Sequence, residues 1–88
     1  MEVTERFTMG IQKISDSFIS GNIYYVSNSL LAKALMNIDQ QCQDKILRNM
    51  STDSAEAVKK MMADLEGISK EEIESAQREI ISMADGYI

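Results

Sequence analysis

Chemistry in an 88-residue chain without histidine has few places to reside. The single cysteine, Cys42, shares an apolar stripe with Ile46, Leu47 and Met50, which suits a small buried hydrophobe better than a reactive thiolate. One cysteine excludes an internal disulfide, and without histidine the usual tetrahedral zinc sets cannot be assembled. The carboxylates Glu71, Glu72 and Glu74 cluster at the start of an expected helix, where negative charge favours the dipole. They read as a solvated face and not as a metal or acid–base site. No glycine-rich phosphate loop is present, so the chain is expected to be no enzyme and to carry no cofactor, metal or small-molecule substrate.

Two binding chemistries can be weighed against the same residues. Asn28-Ser29-Leu30 has the Ser-Leu of an acyl carrier's prosthetic-group site, but such carriers place Asp before that Ser, and Ser27 and Ser29 are better explained as helix-start residues. Residues 39–65 have the short capped helices of a helix-turn-helix, with Lys59 and Lys60 on the last one. Asp53, Glu56, Asp64 and Glu66 surround them, and the net charge of −5 argues against a phosphate-binding surface. Nucleic acid is not expected as a partner. No apolar run reaches the roughly 20 residues of a membrane span, and Met1 to Arg6 lack a signal peptide's basic start and apolar centre. A soluble cytoplasmic domain without direct membrane insertion is expected.

The elements that position these residues are marked by one recurring joint. Leu47-Arg48-Asn49-Met50-Ser51 has the form apolar, any, variable, apolar, Ser or Asp. The same form recurs at Ile11–Ser15, Ile23–Ser27, Leu35–Asp39 and Leu65–Ser69. The final residue can cap a new helix, and Asn37, Asn49 and Gly67 in the third position suit a left-handed ending of the previous one. Zero prolines and seven methionines agree with helices around an adaptable core. The pattern predicts helices near 16–26, 28–36, 40–49, 52–66 and 70–84, with 1–14 as a lead-in holding a short helix at most, because Gly10 interrupts it.

Periodicity then assigns faces. Ile19, Ile23 and Val26 share one face of the first helix, and Ala55, Val58, Met62 and Leu65 one face of the fourth, with Glu56 and Lys60 paired outside. Ser69-Lys70-Glu71-Glu72 is a capping box, followed by the stripe Ile73, Ala76, Ile80 and Met83, with Glu74 and Arg78 outside. The predicted core is Leu35, Ile46, Leu47, Met50, Val58, Met62, Leu65, Ile73 and Ile80. With joints this short, the fold class expected is all-α: residues 1–88 form a single domain, a compact right-angled or solenoid-like bundle of about five short helices.

Leu31-Ala32-Lys33-Ala34-Leu35, Asp44 to Ser51, Ala55 to Leu65, and Ile73-Glu74-Ser75-Ala76-Gln77 through Ile80 resemble the C-terminal domain of the flagellar motor switch protein FliG. The order and spacing hold over residues 26–81, and Arg6-Phe7-Thr8-Met9 stands where that family has a Met-Phe-x-Phe hinge. The resemblance implies a non-enzymatic protein-interaction domain in bacterial motility and chemotaxis. Its partners would be flagellar rotor or stator components, at the cytoplasmic face of the inner membrane in the basal body. It also implies a charged, stator-facing helix on Ser17 to Leu30. Here the family's basic positions fall on Gly21 and Tyr24, and its acidic ones on Tyr25, Ser27 and Ser29, none of them charged. A contact that steers opposite charges needs those charges. An alternative is therefore a FliG-like adaptor in a non-flagellar or paralogous setting.

Phe18 and Tyr25, seven residues apart, share a flank of the same helix, with Tyr24 towards its outer side. Exposed aromatics are common anchors of interfaces, so Phe18, Tyr24 and Tyr25 are the candidate protein-binding residues, acting through apolar contact. The competing reading packs Phe18 and Tyr25 against an N-terminal segment carrying Phe7 and Met9.

Overall fold

In the computed structural model, which describes residues 2–85, the five Ser or Asp residues that end the joints all cap helices. Ser15, Ser27, Asp39 and Ser51 accept the backbone N–H of Phe18, Leu30, Cys42 and Ser54. Ser69 accepts that of Glu72 at 3.2 Å, and only this forward half of the capping box is made among the described residues. The helices that follow are α1 Val3–Lys13, α2 Asp16–Asn22, α3 Asn28–Ala34, α4 Gln40–Leu47, α5 Thr52–Asp64 and α6 Lys70–Asp85, with a 3-10 turn over Ile23–Tyr25. No strand occurs among the described residues. The fold is all-α, as expected.

Helix endings follow a different geometry from the one expected. Among the described residues, only Gly67 has positive φ, at 92°. Asn49 instead closes a tight turn, its backbone N–H reaching the Ile46 carbonyl at 3.1 Å. Its side-chain Nδ2 donates to the Lys45 carbonyl at 2.7 Å, so a carbonyl near the helix end is satisfied without a left-handed residue. Gly67 alone makes the left-handed turn that brings Ile68 back to the Leu65 carbonyl at 3.0 Å.

The N-terminal segment is a full helix and not a lead-in. The intrinsic cost of Gly10 is about 1 kcal/mol relative to Ala. Burial of Phe7 and Ile11, at 5% and 4% exposure, outweighs it, since each such side chain contributes about 1.5–3 kcal/mol. α1 packs on α6 and α4. The Cα radius of gyration, 11.9 Å, equals the roughly 12 Å expected of a compact chain of this length.

α3 is the hub, packed by both α5 and α6. Leu31, Ala32, Ala34 and Leu35 are all buried, and the two alanines let the neighbouring helices approach closely. Of the predicted core, Leu35, Ile46 and Val58 lie in the central cluster, whereas Leu47, Met50, Met62, Leu65 and Ile80 pack half-buried against it. Ile73 is buried outside that cluster. The surface pair expected between Glu56 and Lys60 is not formed; Glu74 instead lies 3.7 Å from Lys70 and 3.9 Å from Arg78.

Candidate functional site

The candidate aromatic residues fall where the α2 helix tightens. Ile23, Tyr24 and Tyr25 form the 3-10 turn, so the single helix expected over 16–26 is broken before the tyrosines. Ile19 remains buried, and Ile23 and Val26 pack on the core as the periodicity predicts. Tyr24 and Tyr25 are left 69% and 55% exposed. Their rings stand 4.2 Å apart, tilted by 33°. Adjacent residues of a continuous α-helix project about 100° apart. A 3-10 turn separates adjacent side chains further, by about 120°, so the pairing of the rings comes from their side-chain directions and not from the tighter turn.

Phe18 is half-buried beside them, facing an apolar groove of about 430 Å³. Phe7 and Ile11 of α1 with Ile14 just after it form one wall, Phe18, Ile23 and Tyr25 the second, and Ile80, Ile81 and Met83 of α6 the third. Phe18 and Tyr25 line the same groove as Phe7, whereas Met9 is 37% exposed and lies off it. Among the described residues the packing leaves the groove open, with Tyr25 at its edge.

Two polar assemblies hold its walls in place. At the α1–α2 corner, the Lys45 ammonium donates to the carbonyls of Ile14 at 2.6 Å and Gln12 at 3.3 Å, where positive charge suits the end of α1. Arg48 makes a forked contact with Asp16, the first residue of α2, at 3.0–3.2 Å. The Ser20 hydroxyl donates to Asn49 Oδ1 at 2.8 Å. The joint after α4 therefore fixes the direction of α2 through its side chains.

At the other end of α1, Gln77 is fully buried on the stripe of α6. Its Nε2 donates to the Ala34 carbonyl at 2.9 Å and to Asn37 Oδ1 at 2.8 Å, while its Oε1 accepts from Thr4 at 2.7 Å. Asn37 Nδ2 closes the ring on Thr4 Oγ1 at 3.3 Å. The expected faces had omitted Gln77. The available signal was its place four residues after Ile73, on an otherwise apolar stripe.

The residues first considered for chemistry are dispersed. Cys42 is 2% exposed, with its Sγ 3.8 Å from the Thr8 carbonyl. Burial, reinforced by Asp39, pushes its thiol above the ordinary value. Glu71 and Glu72 are exposed, Glu74 faces Lys70 and Arg78, and Lys59 and Lys60 lie exposed on α5. Among the described residues, no three His, Cys, Asp or Glu side chains are placed to hold a metal, and no helix is long and apolar enough to cross a membrane.

Residues 5–87 match the family described as the FliG C-terminal domain. The chain is also similar to the flagellar motor switch protein FliG of Vibrio cholerae serotype O1, 33% identical over 72 residues, or 82% of this chain. It spans 21% of that relative's length. No solved structure matches significantly. The family match begins ahead of Arg6-Phe7-Thr8-Met9 and takes in the α1 helix that walls the groove, so the chain belongs to the FliG C-terminal domain family.

Proposed function

We propose that this chain, folded as one domain, is a non-enzymatic protein-interaction module of a flagellar motor switch. It works on the cytoplasmic side of the membrane within the rotor. The family match over residues 5–87 carries this reading. Within it, Phe18, Tyr24 and Tyr25 supply the partner-facing surface, and contact there is apolar. Two exposed, paired rings beside a half-buried Phe offer large area at low conformational-entropy cost, as interface anchors do. The segment Ser17–Leu30 contains no Asp, Glu, Lys or Arg, so ion-pair steering has no source there.

The test is genetic. In the organism that encodes the chain, in-frame deletion should abolish swimming, and Tyr24→Ser/Tyr25→Ser at the native locus should reproduce that loss at normal protein abundance. Normal swimming after deletion would remove the motor assignment. Swimming retained by the double variant would remove the aromatic face.

A further inference from the structure

We propose that the groove between α1, the 3-10 turn and α6 receives an amphipathic helix from a partner protein, whose apolar stripe fills the groove and whose flanking carboxylate pairs with Arg6. This rests on the reading of the chain as a protein-interaction module. The groove walls are almost wholly apolar side chains. An extended peptide laid there would leave its backbone N–H and C=O groups without partners. A helix satisfies its own and presents only side chains. No strand edge exists among the described residues to pair with an added strand.

The charge of the partner follows from Arg6. Among the described residues it is the only Asp, Glu, Lys or Arg lining the groove, it is exposed at the rim, and its guanidinium makes no ion pair or side-chain hydrogen bond with any of them. Of the cations at the α1–α2 corner, Lys45 is bound to backbone carbonyls and Arg48 to Asp16, and Lys13 does not line the groove. A carboxylate on the flank of the incoming helix meets Arg6 in forked geometry, which also sets the helix's register.

Gly10 gives the experiment a variant that should fold. It lines the groove within α1, and a Cβ built there meets nothing within 4 Å. Gly10→Leu therefore places a side chain into the groove while improving helix propensity. The chain has no tryptophan, so a designed helical peptide of about 18 residues, with one Trp in its apolar stripe and one flanking Asp, reports its own burial by emission shift.

Titrated into the purified chain, the Asp peptide should show saturable one-to-one binding, with its Asn and Lys counterparts about two- to fivefold and more weakly bound, respectively. Arg6→Glu should reverse the order of the Asp and Lys peptides. Gly10→Leu should abolish binding while raising the melting temperature. The proposal is overturned by equal affinity for the three peptides, by no binding at about 1 mM, roughly the −4 kcal/mol level, or by binding that survives Gly10→Leu. It also falls if the free chain is a dimer that Gly10→Leu converts to monomer, which assigns the groove to a second copy. Binding seen only in Tyr87→Ser/Ile88→Ser would assign it to the chain's own end. The titration is independent of swimming: a non-swimming tyrosine variant with no peptide binding removes the groove proposal alone, and a swimming deletion strain removes the motor reading alone.

Discussion

The α3–α5–α6 half and the α1–α2 half of this domain share one apolar core, to which the second half adds a set of polar ties. α3 is surrounded by apolar side chains, with Leu31, Leu35 and Val58 at 1% exposure or less. The α1–α2 half buries Phe7, Ile11 and Ile19 in the same core but adds polar ties reaching from α4 and α6, and among the described residues it leaves a groove between its walls. Dry packing is non-directional and tolerates little loss of volume, whereas hydrogen bonds fix angles at modest net energy. Both halves contribute to the core, and the polar ties of the second orient a surface.

The largest difference between the halves should appear on truncation. Leu35→Ala should destabilise by about 2–5 kcal/mol, read from the denaturant midpoint. The same change at half-buried Leu47 should cost about 1–2 kcal/mol, since less of its surface leaves water on folding. Equal losses would erase the distinction between hub and joint.

Gln77→Leu probes the seam between the halves. It leaves the Ala34 carbonyl and the Thr4 hydroxyl without their buried partner, at a cost of about 1–3 kcal/mol. Amide exchange should accelerate in α1 while α3 and α5 stay protected. A uniform change across the chain would mean that the ring of Thr4, Asn37 and Gln77 is not specific to α1.

Smaller effects are expected from the exposed clamp. Arg48→Ala removes a pair whose side chains are 59% and 49% exposed, so solvent screening limits the loss to about 1 kcal/mol or less. The loss should shrink further in 1 M salt. Cys42 sharpens the comparison chemically: the native thiol should resist an aromatic disulfide reagent at neutral pH and react on unfolding. Its raised pKa means that the folded state keeps the proton to higher pH than the unfolded chain does. This contribution is intact at neutral pH and is lost as pH rises past the ordinary thiol value towards the folded one.

Helix starts were legible because each is decided by one side chain: Ser15, Ser27, Asp39, Ser51 and Ser69 cap within three residues of themselves. Helix endings were less so. Asn49 can end a helix through a left-handed backbone or through its amide side chain, and here the amide that bonds the Lys45 carbonyl also accepts from Ser20, 29 residues away. α1 was undervalued for the same reason, since the burial that overrides Gly10 comes from α4 and α6, distant in sequence. The hub at α3 was missed because a seven-residue helix is too short for its period to show much amphipathic contrast.

For the candidate site, Phe18, Tyr24 and Tyr25 were visible as uncharged residues in the helix that the family resemblance makes charged. Neither the break at Ile23–Tyr25 nor the pairing of the two rings was visible. Nor was the groove, whose three walls come from residues near 7, 18 and 81. A cavity is a property of what fails to meet, and local sequence does not record it.

The separation of stability from recognition is tested most directly by Tyr24→Ser/Tyr25→Ser, with melting of the purified variant and swimming of the strain that carries it measured together. Stability should stay within about 0.5 kcal/mol of the parent, as for surface changes, while swimming is lost. A variant that melts several degrees lower would show that the tyrosines hold the fold, and a variant that melts and swims like the parent would show that they do not face the partner.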